Sequence, residues 1–169
     1  MVKAKTLAVL GREEVRALEE DVKEKLLEIA VSRTGVPRER WVIRDLLPTD
    51  LGLSADTWSF DYATANAYNQ IIDTKLGDRT FIIIFGVAIN DPAPKATVIK
   101  FQRAAQVKDV ISIEDLHVVE EPIAYFEEPI VYEENEDVDI YVYATETKTG
   151  EKLILLGYIA EEKGKTITE

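Results

Sequence analysis

The chain has 169 residues and a mass of 19.1 kDa, enough for one domain with a short appended element, and its 46% hydrophobic content supplies a full-sized core. It carries 20 basic residues against 32 acidic ones, a net charge of −12, and a field of that sign repels phosphate backbones and anionic membrane surfaces, which weighs against direct nucleic-acid binding. Cysteine is absent and histidine occurs once, at His117, so disulfides, thiolate chemistry and the usual structural zinc sites have no ligands here.

Near the start, Thr6-Leu7-Ala8-Val9-Leu10 has a basic flank but is too short for a signal-peptide core. Residues 12 to 33 form the clearest helical pattern, with Val15, Leu18, Val22, Leu26 and Ile29 at spacings of three and four and Leu27 and Ala30 widening the stripe. Acids favour its first half, Lys23, Lys25 and Arg33 lean toward its end, and Gly35 and Pro37 stop it. The same stripe suits packing on its own domain or against a second subunit. Trp41 to Arg44 reads as a short strand. After it, Leu46-Leu47-Pro48-Thr49-Asp50-Leu51-Gly52-Leu53 is too rich in leucine for a solvated linker and is expected along the domain surface or in a neighbour's groove. Residues 1–53 are therefore expected to form a helical arm and connector, and residues 54–169 the main domain.

That domain turns to strands. Trp58 to Tyr62 alternates weakly, and residues 63–76 are ambiguous between a short helix and a loop with an Ile-Ile strand. Phe81 to Ile89 is apolar on both faces, as in a central covered strand. Asn90 to Pro94 is a turn, Ala96 to Arg103 alternates, and Asp109 to Ile113 is a further short strand. The best alternation sets Val138, Ile140, Val142 and Ala144 against Asp139, Tyr141, Tyr143 and Thr145. Lys148 to Glu151 reads as a hairpin turn, and Leu153 to Ile159 as a returning buried strand. Its length and that of Phe81 to Ile89 fall far short of a membrane span, so the chain reads as soluble. Seven or eight strands at spacings near ten residues predict a mainly β fold, an antiparallel β-sandwich with an N-terminal α-helix. Few Asn and Gln, one Met and many Glu, Lys and Ile fit a thermophilic source.

No phosphate loop, serine elbow, zinc-protease motif or calcium loop occurs, and a lone His117 reads as structural. The most distinctive feature is a repeat, Glu-Glu-Pro-Ile-Ala-Tyr-Phe at 120–126 and Glu-Glu-Pro-Ile-Val-Tyr-Glu at 127–133. A shift of seven residues is odd, so in an extended chain the two copies face opposite sides, which calls for a bend near Glu127 to Pro129. Three readings stay open. The segment is a proline- and charge-protected sheet edge, a docking surface presenting Tyr125, Phe126 and Tyr132 to a neighbouring chain, or a divalent-cation site drawn from Glu127, Glu128, Glu133, Glu134, Glu136 and Asp137. The first two together form the preferred reading, with no metal or other cofactor.

The stretch EEPIVYEENEDVDIYVYATETKTGEKLILLGYIAE, residues 127–161, runs from an extended Pro-Ile-x-Tyr step through an alternating strand and a turn to a buried strand. With the N-terminal helix and acidic surface, it resembles the last strands of jelly-roll-like viral or phage structural proteins, the capsid and head-decoration sandwiches. The resemblance covers roughly residues 80–161. It implies a jelly-roll-like fold, symmetric self-assembly without catalysis, and location in a virion; otherwise the chain reads as cytoplasmic. The basic arm by which capsid proteins touch genome directly is missing, which fits an outer-shell, internal-membrane-type or decoration role. Intersubunit contacts are expected from Val15, Leu18, Val22, Leu26 and Ile29 of the helix, from Leu46, Leu47, Leu51 and Leu53 of the connector, and from Tyr125, Phe126 and Tyr132. The partners are other copies of the chain and further shell proteins. The alternative is a ligand-binding β-sandwich module, with a carbohydrate or small molecule stacked on Trp58, Tyr141 and Tyr143.

Overall fold

A computed structural model describes residues 4–6, 12–118 and 122–163. The apolar segment 7–10 and the first Glu-Glu pair of the repeat, Glu120 and Glu121, lie outside the described residues. The elements in chain order are β1 (Ala4–Thr6), α1 (Arg12–Thr34), β2 (Trp41–Asp45), β3 (Ser59–Tyr62), β4 (Ala67–Lys75), β5 (Thr80–Ile89), β6 (Ala96–Arg103), β7 (Gln106–Ser112), β8 (Ile123–Tyr132), β9 (Asp137–Ala144) and β10 (Lys148–Glu162). Short 3-10 turns occur at Arg38–Arg40, Pro48–Leu51 and Glu114–His117.

The last eight strands pair as a rolled-up ribbon. β3 pairs with β10, β4 with β9, β5 with β8 and β6 with β7, all antiparallel. Folding that ribbon over adds the pairs β5–β10 and β6–β9. The result is two sheets, one ordered β1-β8-β5-β10-β2 with β3 also on β10, the other β4-β9-β6-β7. This is the double Greek key of a jelly roll, an antiparallel β-sandwich with an N-terminal helix. Between the sheets, Ile82, Ile84, Phe101, Phe126, Tyr132, Ile140, Val142 and Leu153 interdigitate in one core cluster. Alternation makes this possible: on β9, Val138, Ile140, Val142 and Ala144 all point inward and are buried.

The helix belongs to the same body. Val22, Leu26 and Ala30 are buried against Phe81, Ile83, Phe85, Tyr125 and Tyr158 on the outer face of the first sheet. β5 is buried along nearly its whole length because one face meets the inter-sheet core and the other meets the helix. β2 extends the sheet beside the end of β10, and β1 pairs with β8. The arm expected over residues 1–53 is thus corrected: two of its segments are strands of the first sheet and a third roofs it. The physical reason is that a jelly-roll sheet with an apolar outer face needs a cover, and the nearest amphipathic segment supplies one.

The connector corrects a second expectation. Leu46, Pro48 and Leu51 are buried in their own domain. The Arg44 guanidinium holds the connector by paired hydrogen bonds of 2.8 Å to Asp50 and one of 2.9 Å to Glu161. Residues 63–76, ambiguous in sequence, contain β4. The hairpin turn read at Lys148 to Glu151 lies earlier, between Ala144 and Lys148, and Gly150 uses its positive φ of 71° inside β10 where the pairing with β3 shifts register.

Candidate interaction surface

The two sheets differ on the outside. The first is roofed by α1 over part of its area, while no element packs on the outer face of the second among the described residues. On that bare face the ladder partners form rows. Tyr68 lies opposite Tyr143 in the first row, and Gln70, Tyr141 and Lys100 follow in the second. Asp73, Asp139 and Gln102 form the third row, and Lys75 and Asp137 the fourth. Strand alternation puts these side chains on the face opposite the core by the same pattern that buries Ile72, Ile140 and Phe101.

The first two rows are aromatic around one cation. Tyr68 and Tyr143 meet edge to face at 5.3 Å between ring centres. The Lys100 ammonium lies 4.2 Å from the Tyr68 ring centre and 5.0 Å from that of Tyr141, a cation–π arrangement. Tyr68 keeps 40% of its surface exposed, an unusual amount for a ring next to two others. The third row is acidic. Asp73 and Asp139 sit directly opposite each other on adjacent strands, and the Gln70 amide donates to Asp139 at 3.3 Å. Partial burial, then the facing Asp73 charge, raises the Asp139 carboxyl above its ordinary value.

A second open surface lies on the first sheet beside the N-terminal half of the helix. It is a groove of about 340 Å³ lined by Leu47, Trp58, Phe85, Ile154, Leu156 and Tyr158, with Glu19 and Asp45 at the rim. Phe85 is stacked between Tyr125 and Tyr158, at 6.2 and 5.3 Å. The Tyr158 hydroxyl donates to Glu19 at 3.0 Å, and burial, followed by that bond, pushes the hydroxyl's proton affinity up.

The residues expected at interfaces are distributed unevenly. Val22, Leu26, Leu46, Leu51, Tyr125, Phe126 and Tyr132 are buried within the chain, so their assignment to intersubunit contacts is corrected: the helix cluster and the inter-sheet core already take them. Val15, Leu18 and Ile29 are half-buried beside the helix cluster and Leu53 beside the inter-sheet core. Of the connector leucines, Leu47 is exposed, at 41%. The repeat does change face as its odd spacing requires. Tyr125 stacks on the helix side, whereas Tyr132 enters the inter-sheet core and its hydroxyl donates to the Gln102 carbonyl at 2.9 Å. β8 pairs with β5 up to Tyr125 and again from Ile130; between them the chain leaves that ladder near the expected bend, with Phe126 in the inter-sheet core and Glu127 and Glu128 exposed, and the two copies stay on opposite faces rather than being presented alike.

The acids proposed as cation ligands are drawn apart. Glu133 pairs with Arg33 at 2.9 Å, Glu136 with Arg103 at 2.7 Å, and Glu134 accepts from the Arg79 amide at 2.7 Å. No group of three acids or histidines suited to a metal occurs among the described residues. The aromatic set expected for a ligand is split: Tyr141 and Tyr143 share the bare face, but Trp58 lies in the groove of the first sheet. His117 is half-buried, with Nε2–H donating to the Ala96 carbonyl. Sequence reasoning missed Tyr68 and Lys100, the remaining members of the aromatic patch. The cross-strand neighbours of Tyr141 and Tyr143 would have been the signal, but they require the β4–β9–β6 order.

It also missed Glu151, which is fully buried. One of its oxygens accepts from the Tyr62 hydroxyl at 2.7 Å and the other from the Lys95 amide. Burial, then this carboxylate, raises the Tyr62 hydroxyl far above its ordinary value. The group ties β3, β10 and the turn before β6 together and reaches no open space.

The fold and these surfaces define a jelly-roll protein whose available chemistry lies on its outside. No protein-family model matches the chain, and no curated protein matches it in sequence. No helix among the described residues is long and apolar enough to cross a membrane.

Proposed function

We propose that the chain is a non-enzymatic, self-assembling structural protein, a capsid or outer-shell component of a virion that associates with copies of itself and with other shell proteins. The observation that carries this reading is the bare outer face of the second sheet, where Lys100 lies over Tyr68 and Tyr141, Tyr143 meets Tyr68 edge to face, and no element packs on the patch among the described residues. Exposed aromatic clusters are enriched at protein interfaces. The packed inter-sheet core supports the same reading, because aliphatic and aromatic side chains fill the space that a ligand-binding barrel keeps open. Jelly rolls serve as capsid and as lectin domains, so the surface decides between these uses rather than the fold.

A second reading is a small-molecule or carbohydrate module, and the groove beside Trp58 favours it. Its apolar floor of Ile154 and Leu156 suits an apolar ligand better than a sugar. Electron microscopy of the concentrated protein tests the leading reading: closed shells, rings or flat lattices are expected. A field of separate 19.1 kDa particles at every concentration, together with saturable sugar or small-molecule binding, would replace it with the second.

A further inference from the structure

We propose that the outer face of the second sheet docks on the same face of a second copy about a two-fold axis running across the strands, each Lys100 reaching the other's Asp139 on the neighbouring strand. The proposal rests on the self-assembly reading and adds the surface, the symmetry and the register.

A two-fold contact must be self-complementary, since every residue meets the image of another residue of the same face. This face meets that requirement in one orientation. Its second row holds a cation between rings, and its third row holds two carboxylates directly opposite each other. An axis across the strands between these rows exchanges them strand by strand, so that Tyr141 faces Asp139, Gln70 faces Asp73, and Lys100 faces Gln102 with Asp139 one strand away. The same rotation lays Tyr68 over Lys75, a further cation over a ring, and Tyr143 over Asp137, to which its hydroxyl can donate. An axis parallel to the strands would set the acidic row on its own image and is repulsive. Neighbouring strands lie roughly 4.8 Å apart, an offset that a lysine side chain spans.

The cost side agrees. Like charges opposite each other on neighbouring strands disfavour the isolated protomer, and a cation from outside removes that repulsion. Lys100 is poised to be that cation, since its ammonium rests over ring faces at the surface and its stem can swing outward.

Sedimentation equilibrium over a wide concentration range, on the full chain, tests this with four variants. K100E and D139K are each expected to weaken association on the order of tenfold. The double variant K100E/D139K is expected to regain most of it, because the two-fold then sets Glu at 100 against Lys at 139. D139N is expected to raise the melting temperature of the protomer while weakening association, a combination that a purely structural aspartate does not give. Circular dichroism melts establish that each variant is folded. A wild type that stays monomeric removes the self-assembly reading and the proposal together. A wild type that assembles, with K100E and D139K associating just as tightly, leaves assembly standing and overturns this face. Weakening in both single variants with no recovery in the double overturns the two-fold register.

Discussion

Two carboxylates mark the extremes of cost at the scale of single residues. Glu151 is buried, and both oxygens are used, by the Tyr62 hydroxyl and the Lys95 amide. Removing it strands two donors in the interior, so Glu151→Ala is expected to lose about 3 kcal/mol. Tyr62→Phe, which leaves the Lys95 bond in place, is expected to lose about 1 kcal/mol; urea unfolding at neutral pH measures both. Equal losses in the two variants would contradict the assigned bonds. Asp139 works in the other direction. Its native-state proton affinity is raised by burial and by Asp73, so the ionised form opposes folding. That penalty is complete above the raised native value and absent below the ordinary aspartate value of 3.8. Asp139→Asn is therefore expected to stabilise the protomer on the order of 0.5 kcal/mol at neutral pH, with the gain vanishing in acid. A gain independent of pH would show that charge is not its source.

Among the elements, α1 is a roof rather than an arm. Leu26 is fully buried between the helix and the first sheet, and Leu26→Ala is expected to lose about 3 kcal/mol through its cavity. Deleting residues 1–34 would uncover Phe81, Ile83 and Tyr158, and the remainder is expected to aggregate or lose its cooperative melt. A truncated chain that melts like the parent would restore the arm. Gly157 makes a similar point inside β10: a Cβ there would run into the carbonyl oxygen of Ile83, at the step where the β5–β10 pairing shifts register. Gly157→Ala is expected to destabilise by more than 1 kcal/mol, read by thermal melts.

Much of this element scale was legible in the sequence. The 3-4 stripe announced the helix, the two-sided run at Phe81 to Ile89 announced the central strand, and the odd spacing of the repeat announced the break in the β8–β5 ladder between Tyr125 and Ile130. The partner of the helix stripe was not legible, because an apolar stripe fits a sheet of its own chain or a second subunit equally well. Tyr125 and Tyr132 were misread for the same reason. Aromatics beside acids look like an interface in one dimension, and only the fold puts Tyr132 in the inter-sheet core and Tyr125 under the helix while leaving Glu127 and Glu128 outside. Glu151 was hidden beside a glycine that reads as a turn.

For the whole molecule, the rolled ribbon places strands far apart in sequence side by side, and this created the candidate surface. Tyr68, Lys100 and Tyr141 come from three different strands, β4, β6 and β9, so no local motif could announce them, whereas the fold class followed from strand count and alternation alone. With the helix and connector packed into the body, most of the apolar surface once assigned to neighbours is used internally, and among the described residues the open surfaces are the aromatic and charged face of the second sheet and the groove beside Trp58 on the first. Light scattering coupled to size exclusion tests the central claim of self-assembly most directly. A mass that rises with concentration from 19.1 kDa toward a defined multiple is the expected result, and a mass fixed at 19.1 kDa up to high micromolar concentration would contradict it.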